Sequence, residues 1–452
     1  MALDKTECSG EALELASGKR IITAEFNGGT MSSDGGGLLL AATDQRMRLL
    51  ERFSECFLDA RKPERIEHSV AQLVRQRVYG LALGYEDLND HDQLRHDPLL
   101  AALAGKDEPG EEPLAGKSTL NRLERSTGTP SRYKKIAYWK PAIDELLVQL
   151  FLEAHASAPE QIVLDIDTTD MALHGKQEDR FFHGYYGHYC YLPLYIVCGS
   201  HVLCARLRPS NVGPAVGSKK EVERVVGQIR QHWPDVRIVL RGDSGFCTDE
   251  IMTWCEENRV DYVLGMARNK RLQAIIVDAL AQAEREFEQT RQPARVFVEF
   301  PHETVSGTWS KPRRVVAKAE HIDGKSNPRF VVTSLDSEKQ ELYERMYCAR
   351  GDMENRIKEQ FMLFADRVSS STLRANQLRI YFSVIAYTLV NGLRRLGLAG
   401  TAMANAQIAT IRLRLLKIGA LVRVTVRRVW VRMATAFPLQ ALFSQTLRQL
   451  RT

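Results

Sequence analysis

The chain has 452 residues, 44% hydrophobic and 26% charged, with 62 Lys and Arg against 56 Asp and Glu for a net charge of +6. That length supports two to four domains and a sizeable core, and the composition is that of an ordinary soluble protein. The longest apolar stretch, around Ile380 to Val390, is too short and too interrupted to span a bilayer, and Met1 to Cys8 shows no charged-then-apolar signal design. We therefore expect a cytoplasmic protein with no membrane partner. The eight Cys form no CxxC pair and no Cys/His zinc spacing, so reduced thiols are expected. The charge is unevenly spread: no acidic residue follows Asp366, whereas fourteen Lys and Arg do. Such asymmetry points to an anionic partner, most simply nucleic acid.

In chain order, Gly28, Gly29 and Gly35 to Gly37 mark flexible or tightly turned backbone. A helix is expected from Leu38 to about Phe57 and a strongly amphipathic one over 66–83, broken at Gly84. Asn89 or Asp90 would cap a short helix through Leu94 to Leu103. Residues 104–116 read as a loop, and Ser118 starts a well-capped helix that exposes Arg122 and Arg125. This order suits a helical DNA-binding domain, and it suits a plain helical bundle equally well. One more helix is expected over 133–155.

The pattern then changes. Strands are expected at Gln161–Asp167, Cys190–Cys198 and His201–Leu207, followed by a helix (219–232), a strand (Val236–Leu240), a helix (248–258) and a strand (Val260–Met266). Three strands, helix, strand, helix, strand is the order of the ribonuclease H fold. A helix over 270–290 and strand-like runs at Arg295–Phe300, Arg313–Lys318 and Arg329–Thr333 read as a β-rich insertion, with turns at Ser306–Gly307 and Asp323–Gly324. The delayed last helix starts near Asp352, with Gly351 and Asp352 supplying a turn and an N-cap. The expected fold is thus mixed α/β. A helical N-terminal domain (1–155) precedes a ribonuclease H-like core (156–268 and 341–398), interrupted by a β-rich insertion (269–340) and followed by a basic C-terminal region (399–452). In that last region Val422 to Arg432 alternates apolar with basic residues, which predicts a strand with one basic face. With Arg412, Arg414 and Lys417 it would make phosphate binding salt dependent.

Three carboxylate-bearing stretches carry the chemistry. In this fold the first and fourth strands are neighbours, so Asp165 or Asp167 on one and Asp243 on the other can converge with Glu354 of the last helix. Val163, Asp165 and Asp167 share a face by the two-residue period. Asp167, at the strand's end, is favoured as a metal ligand, and Asp165 would then be a neighbour or a structural pair. Glu354 lies three residues before Ile357 and four before Lys358, beside the apolar stripe of its helix. A carboxylate on that edge is costly unless something binds it. Hard divalent cations such as Mg²⁺ want a few oxygen ligands, and two of them suit in-line phosphoryl displacement.

Leu164–Asp170 with His174–Gln177, Arg241–Phe246, and Tyr347–Lys358 resemble motifs of bacterial DDE insertion-sequence transposases, most closely insertion-sequence family 1380. Gly84–Asp90 and Leu94–Pro98 are similar to that family's N-terminal part. The resemblance implies a catalytic and metal-binding triad of Asp167, Asp243 and Glu354 using Mg²⁺ or Mn²⁺, with two ions expected. It also implies binding of inverted-repeat element ends and target DNA by a homodimer on paired ends. The related insertion-sequence family 4 has a Tyr, Arg, Glu, Lys signature, which Tyr347, Arg350 and Glu354 match. Its Lys falls at Phe361, so Lys358, or Arg356 or Arg367, would substitute in gripping phosphate. Relatives with a β insertion stack an aromatic residue of it on an extruded base, which points to Trp309; a core or loop tryptophan is the ordinary alternative. A ribonuclease H-like nuclease without strand joining, and an inactive DNA-binding derivative, are the competing readings.

Overall fold

The computed structural model describes residues 13–451 apart from 18, 111, 305, 306 and 323. Ser306 and Asp323, in the two expected insertion turns, lie outside the described residues. The chain divides into two compact units. One comprises Met1–Glu51, Lys62–Leu123 and Gly392–Thr452, and the other Arg52–Arg61 and Glu124–Asn391.

The second unit is built on a nine-stranded sheet. Its first five strands are β1 (Gln161–Thr168), β2 (Leu194–Cys198), β3 (His201–Arg206), β4 (Arg237–Gly242) and β5 (Val260–Met266). Their spatial order is β3-β2-β1-β4-β5. β1, β4 and β5 are parallel, and β2 is antiparallel to both neighbours. This is the ribonuclease H order, with the first and fourth strands adjacent. The two-residue period sends Ile162, Leu164 and Ile166 of β1 into one core. There they meet Val148 and Phe151 of α1 (Lys140–Glu153), Val222, Val225 and Ile229 of α2 (Ser218–His232), and Ile251 and Met252 of α3 (Asp249–Glu257). Each such fully buried side chain contributes about 1.5–3 kcal/mol. The opposite face carries Val163, Asp165 and Asp167, beside a smaller cluster of Val239, Val263, Leu342 and Tyr343.

Several elements differ from expectation. The insertion strands, β6 (Ala294–His302), β7 (Arg313–Ile322) and β8 (Arg329–Thr333), extend the core sheet, because β8 pairs antiparallel with β5. The edge of β5 would otherwise present unpaired backbone groups. The expected Cys190–Cys198 strand is divided, with Leu192–Pro193 separating His188–Tyr191 from β2. The expected 133–155 helix begins as a short strand, Ile136–Tyr138; α1 starts only at Lys140, with Pro141 in its first turn, where the missing N–H costs nothing. No chain-reversing turn or N-cap at Gly351–Asp352 starts the helix that carries Glu354. Helical backbone runs from Lys339 through a π-helix (Leu342–Tyr347) and a 3₁₀ turn (Cys348–Arg350) into α4 (Gly351–Phe361). Gly351 has right-handed helical angles, so it and Asp352 sit inside the helical run rather than capping it. A long helix, α5 (Leu373–Gly397), follows; its Gln377 clamps the β3 edge by accepting from Leu207 N–H and donating to the Ala205 carbonyl.

In the first unit, the helix expected from Leu38 is Gly37–Met47 and ends at Arg48, which adopts φ 49°. The 66–83 helix is Val70–Leu83. Ser69 and Gln72 close a capping box at its start, and left-handed Gly84 ends it. Short helices His91–Leu94, Pro98–Leu103 and Lys117–Glu124 follow. The N-terminal part is not purely helical, since Leu13–Ser17 pairs with Arg20–Ala24 and Met31–Ser32 joins a C-terminal hairpin. That hairpin is β9 (Ala420–Thr425) and β10 (Arg428–Met433). Gly36 is packed, not flexible: a Cβ there would lie 2.1 Å from the Leu415 carbonyl oxygen. No helix among the described residues is long and apolar enough to cross a membrane.

Candidate active site

The register of β1 and β4 builds the site. Arg241 pairs with Asp165 and Gly242 with Ile166, so the next step along both parallel strands brings Asp167 beside Asp243 at the strand ends. Close packing dictates the residues around Asp243. A Cβ on Gly242 would meet Ile166 Cγ2 at 2.9 Å, and one on Gly245 would meet Pro214 Cβ at 2.9 Å. Asp243 then caps the one-turn helix Ser244–Phe246, its Oδ1 accepting from the Gly245 N–H at 2.8 Å.

Asp167 is buried, 9% exposed. Burial pushes its carboxyl up to about 6, with Asp243 and Glu354 adding to the rise and Arg350 and the Thr168 N–H opposing it. Asp167 therefore feels both other acidic residues and Arg350, whose Nη2 lies 3.9 Å from Asp167 Oδ2. Among the described residues no group of three His, Cys, Asp or Glu is gathered closely enough to hold a metal ion. The donor set nonetheless suits a hard divalent cation. It is made of carboxylate oxygens, and a cation among them would offset both the burial that chiefly raises Asp167 and the smaller repulsion from Asp243 and Glu354.

Asp165 has a different setting. The Arg241 guanidinium grips both its oxygens, Nε to Oδ1 at 2.5 Å and Nη2 to Oδ2 at 2.8 Å, with both residues buried. Arg241 Nη1 also donates to the Met346 carbonyl at 2.6 Å. One guanidinium thus ties β1 and β4 to the π-helix that precedes Glu354. Tyr347, the last residue of that π-helix, rests its hydroxyl 2.5 Å from where a Gly265 Cβ would stand. Its ring packs 5.5 Å from Tyr343.

The other expected site residues are distributed unevenly. Glu354 and Lys358 are exposed on α4 and form no ion pair with each other, so Glu354 is not on the buried edge of its helix. Arg356 is half-buried and bonded to Glu359 at 3.1 Å. Trp309 is 9% exposed, edge-on to His302 and beneath the Arg313 guanidinium. Enclosed in the core, it has no free face for a base, and this corrects the stacking expectation. Arg122 lies exposed in the first unit. Arg125 is exposed in the second, where it donates to Ser371 Oγ.

Two basic residues near Asp243 were not singled out from the sequence. A cleft of about 250 Å³ is lined by Asp243, Ser244, Gly265, Arg268, Arg329 and Tyr347, among others. Met266 pairs with Phe330, so Arg268, just past β5, and Arg329, opening β8, fall at the same end of the sheet as the carboxylates. Position just beyond a parallel strand's carboxyl end was the available signal for Arg268. Arg329 had none, because its pairing partner is not evident from sequence. Neither forms an ion pair with a described residue. Following Asp167 in the chain, a small sheet of Met171–Ala172, Phe181–His183 and His188–Tyr191 exposes Phe182 and Tyr189, with Tyr185 exposed in the loop between its last two strands. His188 there meets Asp170 at 2.8 Å.

A ribonuclease H-type sheet that brings two aspartates to adjacent strand ends, with a glutamate on a following helix, is the framework of a DDE transposase. The chain belongs to that class: the family model Transposase DDE domain group 1 matches residues 15–452. No protein of curated function matches the sequence. Among solved structures, the chain is similar to the piggyBac transposase in a cryo-EM synaptic complex with hairpin DNA. The identity is 11%, over 85% of this chain and 80% of that one, with a TM-score of 0.41.

Proposed function

We propose that this transposase binds the inverted-repeat ends of a bacterial insertion sequence of family 1380, cuts beside them and joins the freed ends to target DNA. The supporting observation is the setting of Asp167: beside Asp243 in strand register, electrostatically linked to Glu354, and faced by Arg350. Asp167, Asp243 and Glu354 are the residues that would hold Mg²⁺ or Mn²⁺, two ions in the full site, which when bound supply activation of the attacking oxygen and stabilisation of the leaving one. Asp165, with both oxygens on Arg241, acts as a structural partner in this reading. Arg350 and Tyr347, with Arg268, Arg329 and Lys358, orient the phosphates on either side of the scissile bond. In cleavage a water oxygen attacks phosphorus and the bond to the 3′ oxygen breaks, leaving a 3′-hydroxyl and a 5′-phosphate. In joining, that 3′-hydroxyl attacks a target phosphodiester and releases a target 3′-hydroxyl. Pairing two ends implies a homodimer on DNA, acting in the cytoplasm.

Purified protein with Mg²⁺ and a labelled element end, followed on a gel, tests this. Joined products are expected. Cleavage without joining would instead indicate a nuclease, and a mobility shift without cleavage a binding derivative. Glu354→Gln should abolish chemistry and leave binding; retained cleavage would overturn the site assignment.

A further inference from the structure

β9 and β10 form a ribbon whose two faces differ in chemistry. The pairs Leu421↔Arg432, Arg423↔Trp430 and Thr425↔Arg428 alternate with Ala420↔Met433, Val422↔Val431 and Val424↔Val429. By the two-residue period the first set shares one face and the second set the other. The base of the apolar face is covered, with Ala420 and Val422 buried, while Val424 and Val429 toward its tip are exposed. Val422 and Val424 line a cleft with Pro98 and Pro109, and Val424 lies against Gly110.

The other face is basic and aromatic. Arg423, Arg428 and Arg432 are exposed on it, and Arg427 follows in the turn. None of these four forms an ion pair with a described residue. Trp430, 45% exposed, stands among them with the Arg428 guanidinium 5.7 Å from its ring centre. No Asp or Glu follows Asp366 in the sequence, and the acidic residues that share a cleft with the ribbon, Asp107, Glu108 and Glu112, line the one formed with Val422 and Val424. A face serving only solubility would mix both signs of charge and would not display a tryptophan. Arginine and an aromatic ring without acid partners suit phosphate and sugar surfaces.

We propose that this ribbon is a DNA-binding element distinct from the carboxylate site, lying in the major groove of duplex DNA with its arginines on phosphates. The partner class rests on the transposase reading; the choice of face rests on the register alone. Its dimensions fit. Arg428 and Arg432 are four residues apart, about 13 Å at ~3.3 Å per residue. The major groove is about 12 Å wide and admits a two-stranded ribbon.

The test is fluorescence anisotropy of the full chain on a labelled duplex of arbitrary sequence, in EDTA, across a salt series. Replacing Arg423, Arg427, Arg428 and Arg432 together by Gln should weaken binding about 10-fold or more and lower the salt slope by about 0.9 for each phosphate no longer neutralised. An unchanged affinity and slope would overturn the proposal. So would retained duplex binding with loss of binding only to double-stranded RNA or to phosphatidylserine vesicles. If the quadruple variant melts early, Arg423→Gln and Arg432→Gln singly, each expected to lower the slope by about 0.9, decide the matter. The assay contains no metal and reads no cleavage. A parent protein that binds but neither cuts nor joins would defeat the functional reading while leaving this measurement intact.

Discussion

Arg241 and Asp165, 76 residues apart in sequence, form a buried two-bond pair across adjacent parallel strands, and the same guanidinium holds the Met346 carbonyl. Arg241→Ala would leave Asp165 charged and unpaired, at a cost of about 3–5 kcal/mol in chemical denaturation. Arg241→Met with Asp165→Leu should recover most of that stability, because an ion pair replaced by apolar groups of similar volume is close to neutral. Strand cleavage should not recover with it, since the hold on the π-helix is gone. Recovery of both would make the pair purely structural.

Gly265 and Tyr347 offer a steric test. Gly265→Ala puts a methyl 2.5 Å from the tyrosine hydroxyl and 3.1 Å from the Ser244 nitrogen. Overpacking of this kind costs about 1–3 kcal/mol. Tyr347→Phe in the same chain removes the nearest clashing atom, so the double variant should melt above Gly265→Ala alone. A double variant no more stable than Gly265→Ala would mean that Ser244 dominates.

Asp167 sets a pH dependence of known sign. Its folded carboxyl is raised to about 6, so the folded state binds this proton more tightly than the unfolded one. The group's contribution to stability is therefore full at low pH and is lost as pH rises through about 4 to 6. Asp167→Asn should melt higher than the parent above pH 6 in EDTA, by up to about 3 kcal/mol, with the gap closing near pH 4. Mg²⁺ should raise the parent's melting temperature and leave the variant's nearly unmoved. A parent that remains less stable than the variant at pH 4 by the same margin would refute the assignment.

Arg268 and Arg329 line the cleft beside Asp243 without an ion-pair partner among the described residues. Arg268→Gln or Arg329→Gln should leave stability within about 0.5 kcal/mol. Each should weaken cleavage of an element end by about 10- to 100-fold, the range expected for removing a bond of about 1.5–3 kcal/mol to a charged group. Kinetics at saturating Mg²⁺ would read this, and unchanged rates would remove these residues from the site.

The parts of this fold legible in sequence were those with local cause. The alternation of Ile162, Leu164 and Ile166 marked β1, and Gly84 marked the end of the helix expected over 66–83, whose start the Ser69 capping box moves to Val70. The steric demands at Gly242 and Gly245 were visible as a motif around Asp243 before the reason for them was. What stayed hidden was long-range. Nothing local indicates that Phe330 pairs with Met266, and so that the insertion strands would join the core sheet and carry Arg329 to the site. Gly351–Asp352 has the chemistry of a helix start, yet the helical backbone that runs in from Lys339 overrides it. Trp309 reads more readily as a core or loop ring than as a presented one, and its packing with His302 and Arg313 decides for the core.

The π-helix Leu342–Tyr347 has one further consequence. A π segment amounts to an extra residue accommodated within an α-helix, and each α-helical residue advances the next by about 100°. The widened turn ends at Tyr347, where the Gly265 seat and the Arg241 bond to the Met346 carbonyl hold it, so its slack is taken up before the helix reaches Glu354. Removing the residue that the bulge absorbs would let the helix close and leave the heading of Glu354 unchanged, whereas one residue inserted between Tyr347 and Glu354 would swing it by about 100°. The site's third carboxylate is thus indexed from the Tyr347 anchor, and the run between the two is as much a part of the site as the glutamate.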